Sequence, residues 1–197
     1  ATSLAELNRR IRAAEPPWPD AGPAVLGEGP AHARIAFVGE QPGDQEDLQG
    51  RPFVGPAGQL LMRAFAQAGI VREEVYLTNA VKRFKFVERG KRRIHQKPNV
   101  GEVRHERWWL MQEIALVRPR LVVALGATAA LALTGRAVSV TRERGPLSWD
   151  ESYAGFVTLH PSALLRMPDE ARPAAFEAFA ADLGEARRLA ERIRAPA

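Results

Sequence analysis

The chain has 197 residues, of which 46% are hydrophobic and 26% charged, and its net charge at pH 7 is +5. This size and apolar content predict one domain with a buried core. The absence of cysteine excludes disulfides, thiolate nucleophiles and cysteine-bound zinc or iron–sulfur centres. No apolar run approaches the roughly 18–20 residues that span a bilayer, and the N-terminus lacks the apolar centre of a signal peptide. We therefore expect a cytoplasmic protein that does not contact a membrane.

In chain order, residues 1–30 are predicted to form an amphipathic helix over 3–14 and then a Pro-rich connection. Four apolar runs predict buried strands, and stretches with helical periodicity follow them. The strands are expected at 33–39, 75–81, 121–126 and 155–160, and the helices at 57–69, 102–117, 127–135 and 172–193. This alternation is typical of an α/β protein. We predict one domain over 1–197, an α/β/α sandwich with a central, mainly parallel four-stranded sheet.

Polar residues follow these strands at the edge where open parallel sheets bind ligands, beyond the carboxyl ends. They are Glu40, Gln41 and Asp44 after the first strand, Asn79 at the end of the second and His160 at the end of the fourth. Residues 39–58 contain five glycines, which indicates backbone close to a ligand. The segment matches neither the dinucleotide fingerprint nor the P-loop. Phe53 within it is either a core residue or a surface on which a base stacks.

The positive charge of the chain is local, because residues 82–97 hold eight basic side chains, all four lysines among them, and one acid. One interpretation is a solvated, mobile loop, and the other is a phosphate-binding surface. His95 interrupts the basic pattern and adds little to phosphate contact. His32 and His105 have no spacing typical of a metal site, so we predict no metal. Asn79 and His160 keep two interpretations each, as structural residues or as parts of a binding pocket.

Four segments resemble, in the same order, the motifs of the uracil-DNA glycosylase superfamily in its family-4-like branch. They are "GEQPGDQEDLQGRPFVGPAGQLL", "TNAVKRFKF", "LGATAA" and "HPSALLR", and the resemblance covers roughly residues 24–166. The "GEQPG" variant and the inserted "KRRIH" are similar to the UdgX group, in which a loop histidine captures DNA covalently. Family-4-like proteins usually carry four cysteines that bind a [4Fe–4S] cluster. This chain has none, so we expect no cofactor.

The resemblance also implies a role for each motif residue. The uracil would be bound by Gly39, Phe53, Asn79 and His160, with Phe53 stacking on the base, Asn79 reading its edge and His160 donating to a carbonyl oxygen. Glu40, Gln41 and Asp44 would shape the sugar side, with Glu40 orienting His95 as it attacks C1′ of the deoxyribose. The implied DNA contacts are Lys91, Arg92, Arg93, Ser162, Leu164, Leu165 and Arg166.

The resulting prediction is a uracil-DNA glycosylase that excises uracil and remains bonded to the sugar, acting once. Its partner is uracil-containing DNA, single-stranded or double-stranded, and a monomer is expected because one chain supplies every contact. Three alternatives stay open. They are a turnover glycosylase in which His95 only contacts DNA, a non-catalytic module that binds uracil or single strands, and an unrelated nucleotide-binding α/β protein.

Overall fold

A five-stranded, mainly parallel sheet lies at the centre of the computed structural model, which describes residues 1–194. In chain order the elements are α1 (Leu4–Ala13), β1 (Ile35–Gly39), α2 (Asp44–Gln49), α3 (Pro56–Ala68), β2 (Tyr76–Asn79), β3 (Phe86–Arg89), β4 (Arg92–His95), α4 (Val100–Val117), β5 (Leu121–Leu125), α5 (Ala127–Thr134), α6 (Val140–Glu143), β6 (Gly145–Pro146), β7 (Ala154–Thr158), α7 (Pro161–Leu165) and α8 (Arg172–Arg192). The strand order is β2-β1-β5-β7-β6.

The predicted α/β fold is confirmed, whereas the strand number was wrong by one. The four predicted strands pair in parallel, and β6 adds an antiparallel strand beside β7. This fifth strand has only two residues, Gly145 and Pro146, and so carries no apolar pattern to detect. Proline is tolerated there because β6 lies at the edge of the sheet.

The strands are apolar throughout because helices cover both faces of the sheet. Along β1, Ile35 and Phe37 pack in the cluster that includes α3 and α8, while Ala36 and Val38 pack in the cluster that includes α4 and α5. This alternation follows from the two-residue period of a strand. Helix α4 begins with a capping box, in which Asn99 and Glu102 bond each other's backbone N–H groups. None of the helices within residues 1–194 has the length and apolar content needed to cross a membrane.

The basic run does not form a mobile loop. Residues 86–95 fold into an antiparallel hairpin of β3 and β4, which turns at Gly90 with φ 62°. Phe86 lies opposite His95 in this hairpin. The strands are short and mostly exposed, so the hairpin depends on side-chain contacts with the rest of the molecule, which are described below.

Candidate active site

Three side chains converge on Gly39, the last residue of β1, which pairs with Asn79 in β2. A Cβ placed on Gly39 would lie 2.5 Å from Asn79 Oδ1, 2.7 Å from Phe53 Cζ and 3.4 Å from His160 Nε2. Any side chain at position 39 would therefore fill the space between them. The four residues predicted to bind the base are thus brought together by the ends of β1, β2 and β7 and by the loop before α3. The arrangement places an aromatic ring, an amide and an imidazole around Gly39.

Phe53 is held in a conformation that a non-glycine residue seldom adopts, with φ 53°. Arg72 holds its backbone in place by donating from Nη1 to the Phe53 carbonyl at 2.8 Å and from Nη2 to the Pro52 carbonyl at 2.6 Å. Gly58 in α3 packs against the Phe53 backbone so closely that a Cβ there would overlap it. Phe53 is buried in the core, and its ring also lies beside Gly39, while base stacking on it stays a prediction. Arg72 was missed because its partners lie about twenty residues away.

His160 is placed as a neutral hydrogen-bond donor. It precedes α7, and the backbone N–H of Ser162 donates to its Nδ1 at 3.1 Å. Because that amide can only donate, the neutral ring carries its proton on Nε2, the nitrogen nearest Gly39. Burial lowers the pKa of His160 to about 4, against the opposing effect of Glu40. Ser162, predicted to contact DNA, has its Oγ 2.8 Å from His160 Nδ1 and so helps to orient the ring.

Glu40 connects the pocket to His95. Its Oε1 lies 2.8 Å from His95 Nε2, and Thr128 Oγ1 donates to Oε2 at 2.7 Å. Burial by itself raises the pKa of Glu40, but the hydrogen bonds from His95 and Thr128 outweigh it and bring the pKa below its ordinary value. The carboxylate is therefore ionised at neutral pH, and His95, 49% exposed, lies at the rim. Thr128 was not among the predicted site residues, although it lies three residues after β5, in the first turn of α5, and the strand-end rule could have identified it.

Gln41 holds the base of the hairpin instead of facing open space. Its Oε1 accepts from the Lys85 backbone N–H at 2.8 Å, and its Nε2 donates to the Gln96 carbonyl at 3.0 Å and the Lys85 carbonyl at 3.3 Å. These bonds join both ends of the hairpin to the residue next to Glu40. The Gln41 side chain therefore holds the segment that carries His95, and its place on the sugar side of the pocket stays a prediction.

Arg93, which was predicted to contact DNA, and Asp44, which was predicted to shape the sugar side of the pocket, bind each other. Arg93 Nε donates to Asp44 Oδ1 at 2.7 Å, and Nη1 donates to Asp47 Oδ2 at 2.6 Å. The guanidinium also lies over the rings of Phe84 and Phe86, 5.3 Å and 5.0 Å from their centroids. Because these charges are mutually neutralised, neither Arg93 nor Asp44 is free for its predicted contact. They attach β4 to the start of α2.

Three other cations of the basic run also have partners inside the protein. Lys82, 1% exposed, forms a buried ion pair with Glu113. Arg83 donates to the carbonyls of Gly22, Ala14 and Ile11 and so fixes the N-terminal segment. Lys85 bonds both carboxylate oxygens of Glu102 at 2.8 Å. Within the described residues, four exposed cations of the run have no acidic partner, namely Arg89, Lys91, Arg92 and Lys97.

On α7 the structure separates the residues that were predicted together as DNA contacts. Leu164 is 0% exposed and belongs to the core, so its predicted contact with DNA is wrong. Leu165 is 40% exposed, and Arg166 is exposed beside Ser162. Successive residues of a helix point in different directions, so one leucine of the pair faces inward and the next faces solvent.

A cysteine-ligated iron–sulfur cluster does not fit this chain. The sequence supplies no thiolate, and residues 1–194 contain no group of three or more His, Asp or Glu side chains arranged to hold a metal ion.

Residues 26–184 match the family described as the Uracil DNA glycosylase superfamily. Three similar proteins are each named Type-4 uracil-DNA glycosylase. The protein from Thermotoga maritima is 42% identical over 144 residues, 72% of this chain and 71% of the relative. That from Pyrobaculum aerophilum is 37% identical over 153 residues, 74% of each chain. That from Archaeoglobus fulgidus is 34% identical over 152 residues, 73% of each chain. The family match and these relatives together show that the chain belongs to the uracil DNA glycosylase superfamily.

Proposed function

We propose that this protein excises uracil from DNA and then remains covalently bonded to the sugar through His95, as in the UdgX group that its motifs resemble. Excision is supported by the family and by relatives named as Type-4 uracil-DNA glycosylases. The observation that carries the covalent step is the 2.8 Å contact between His95 Nε2 and Glu40 at the rim of the site around Gly39.

The flipped base would occupy the space beside Gly39. Phe53 supplies the aromatic face on which uracil stacks. The oxygen of the Asn79 amide can accept a hydrogen bond from N3–H of uracil, and its NH2 group can donate one to a carbonyl oxygen of the base. His160 Nε2–H donates to a carbonyl oxygen, where negative charge grows as the C1′–N1 bond breaks and its electron pair leaves with the base. A fixed donor in a dry pocket stabilises that charge strongly. Since the pKa of His160 is about 4, it acts as a neutral donor at pH 7.

Loss of the base leaves an electron-deficient C1′, which the ionised Glu40 stabilises by its negative charge. The His95 ring nitrogen that bears the lone pair then forms a bond to C1′. The other ring nitrogen keeps its proton beside a carboxylate, which offsets the positive charge of the alkylated ring. No water is consumed, so the products are the uracil anion, which takes a proton from solvent, and a protein–DNA adduct. Lys91 and Arg92 at the hairpin tip, with Leu165 and Arg166 on α7, are the proposed DNA contacts.

The test uses a labelled single-stranded oligonucleotide with one uracil, and a thymine oligonucleotide as the control. After incubation the sample is denatured in hot detergent and separated on a gel, and free uracil is measured in parallel. We expect a uracil-dependent band that survives denaturation, with one uracil released per protein. In His95→Ser the band should vanish while uracil release continues, because water can reach C1′.

His32→Asn serves as the matched histidine variant, since His32 is exposed outside the site and asparagine tolerates its φ of 63°. This variant should capture DNA like the parent. Repeated release of uracil by the unmodified protein without the band would instead identify a turnover glycosylase. Binding without release would identify a non-catalytic module. The same assay on a uracil-containing duplex reports strand preference.

A further inference from the structure

The outward face of α4 carries positive and aromatic side chains and no acid. The helix contains three glutamates, but Glu106 and Glu113 are buried and Glu102 bonds Lys85. The exposed residues along its first half are Val100, Gly101, Arg104, His105 and Trp108. Residues three or four apart lie on one face of a helix, so Arg104 and Trp108 are neighbours on this face. On this face the Arg104 guanidinium is exposed, whereas the three glutamates are buried or paired.

Trp108 is 47% exposed, whereas the other three tryptophans are largely covered. Its ring is held against Trp109, with centroids 4.8 Å apart at 78°, and the Arg10 guanidinium of α1 lies 5.5 Å from its centroid. The acid one turn before Arg10 on α1 is Glu6, whose carboxylate is occupied by the Thr2 backbone N–H and hydroxyl. Tryptophan is usually well buried on average, so this exposure is unusual. The result is an exposed indole ring that is held by Trp109 and has the Arg10 guanidinium over one face, which leaves the other face for stacking.

This surface is continuous with the proposed active site. Helix α4 begins five residues after His95, and the Lys85–Glu102 bond ties its first turn to the start of the hairpin. At about 1.5 Å per residue, Arg104 and Trp108 lie about 6 Å and 12 Å along the helix from Val100. Exposed Lys97 precedes them at the end of the basic run. The cations and the indole thus form a track that leads away from the hairpin.

We propose that this track binds the single-stranded DNA that flanks the uracil, with Arg104 contacting a phosphate and Trp108 stacking on a base. The combination matches a single strand, because unpaired bases expose their faces for stacking and phosphates attract guanidinium groups. A duplex hides its base faces, and a protein partner would require no such run of cations. The inference rests on the proposed function, because it places along the track the DNA strand whose uracil nucleotide is bound next to His95.

The first test measures binding of a uracil-free single-stranded oligonucleotide with a fluorescent label, by anisotropy at several salt concentrations, so it requires no chemistry at the active site. Trp108→Ala should weaken binding about fivefold or more by removing one stacked base. The slope of log affinity against log salt should stay unchanged. Arg104→Ala should instead lower that slope by about 0.7, the contribution of one phosphate contact on a single strand. Trp108→Phe keeps a ring and should restore most of the affinity.

Arg63→Ala is the matched control, because Arg63 is exposed on α3, across the sheet from α4. It removes the same charge and should change neither quantity. Equal affinities for Trp108→Ala and the parent would overturn the proposal. So would equal weakening by Arg63→Ala and Arg104→Ala, because the effect would then come from net charge alone.

The second test separates this inference from the proposed function. Adduct formation is compared on a short oligonucleotide that ends close to the uracil and on a long one with flanks on both sides. Trp108→Ala should slow capture of the long substrate at limiting DNA and leave capture of the short one unchanged. Failure of capture by the parent protein, with the salt and stacking effects intact, would reject only the covalent function. Equal slowing on both substrates would reject the track.

Discussion

Lys82→Met tests whether Lys82 serves in a buried ion pair. The sequence places this lysine in the basic run, which could bind phosphates, whereas the structure buries it. Lys82 Nζ donates to Thr78 Oγ1 at 2.8 Å and to the Asn79 carbonyl at 2.7 Å, and it pairs with Glu113. The Glu113 carboxylate is fully buried and also accepts from the Tyr76 hydroxyl at 2.9 Å. Methionine preserves most of the apolar stem of Lys82 and removes the charge, so the substitution isolates the ion pair.

Removing one partner of a buried ion pair costs about 3–5 kcal/mol, because the other charge is left uncompensated. Tyr76 and Thr78 still donate to Glu113 in the variant, so we expect the lower end of that range, about 3 kcal/mol. A second substitution, Glu113→Gln, removes the buried negative charge. The double variant should therefore regain about 1 kcal/mol or more relative to Lys82→Met, as expected for coupled neighbours. Domains of this kind have about 5–15 kcal/mol of stability, so the variants should still fold.

Urea denaturation at pH 7 measures these free energies of unfolding, and DNA binding at several salt concentrations measures phosphate contacts. Lys91→Met is the matched control, since it makes the same substitution at the exposed hairpin tip. It should change stability by no more than about 0.5 kcal/mol and lower the salt slope by about 0.7. If Lys82→Met behaved like Lys91→Met in both assays, the buried ion pair would be refuted as the role of Lys82.

Three further predictions concern the pocket. Gly39→Ala should reduce uracil excision about 100-fold or more, because its methyl group fills the space between Phe53 and Asn79. Single-turnover rates check this, with Gly184→Ala as the control, since a methyl group there meets only the end of the flexible Arg188 side chain, at 3.3 Å. The pKa of His160 falls from 6.5 to about 4 on folding, so between these pH values the unfolded chain binds more protons than the folded chain. The free energy of unfolding should therefore be highest above pH 6.5 and decline by about 3 kcal/mol as the pH falls towards 4. His160→Gln should flatten that part of the urea-unfolding profile, and an unchanged profile would show that other groups cause it. Gln41→Ala should slow adduct formation about tenfold while uracil release persists, since the hairpin that carries His95 loses three hydrogen bonds; parallel loss of both would point to a general defect.

The order of the elements and the location of the site could be predicted because both depend on short segments. Each buried strand is a run of apolar residues, and each helix has its own periodicity and caps. Glu40, Asn79 and His160 then meet at one edge because parallel strands share their carboxyl ends. Helix α4 illustrates this, since the Asn99–Glu102 capping box and Pro119 lie within or beside the segment they delimit. The short strand β6 escaped prediction because two residues show no periodicity.

The partner that each charged side chain binds could not be predicted from short segments. The sequence counts Lys82, Arg83 and Arg93 alike as positive charges in one run, yet each finds a different partner distant in the chain. Arg93 meets Asp44, which is 49 residues away, and Lys82 meets Glu113, which is 31 residues away. Such pairs form only when the sheet and α4 have brought the segments together, and burial then makes an unpaired charge too costly to leave.

The sequence by itself therefore determined the α/β architecture, the sheet edge at which the polar residues gather, and the lack of any thiolate ligand. Those properties follow from local patterns of apolar, turn-forming and reactive residues. Only the tertiary structure decided which cations remain for DNA, that Gln41 and Arg93 hold the hairpin, that Leu164 is core, and that Thr128 supports Glu40. Each of these depends on which side chains come within hydrogen-bonding distance or lose contact with water, and that is a property of the folded chain.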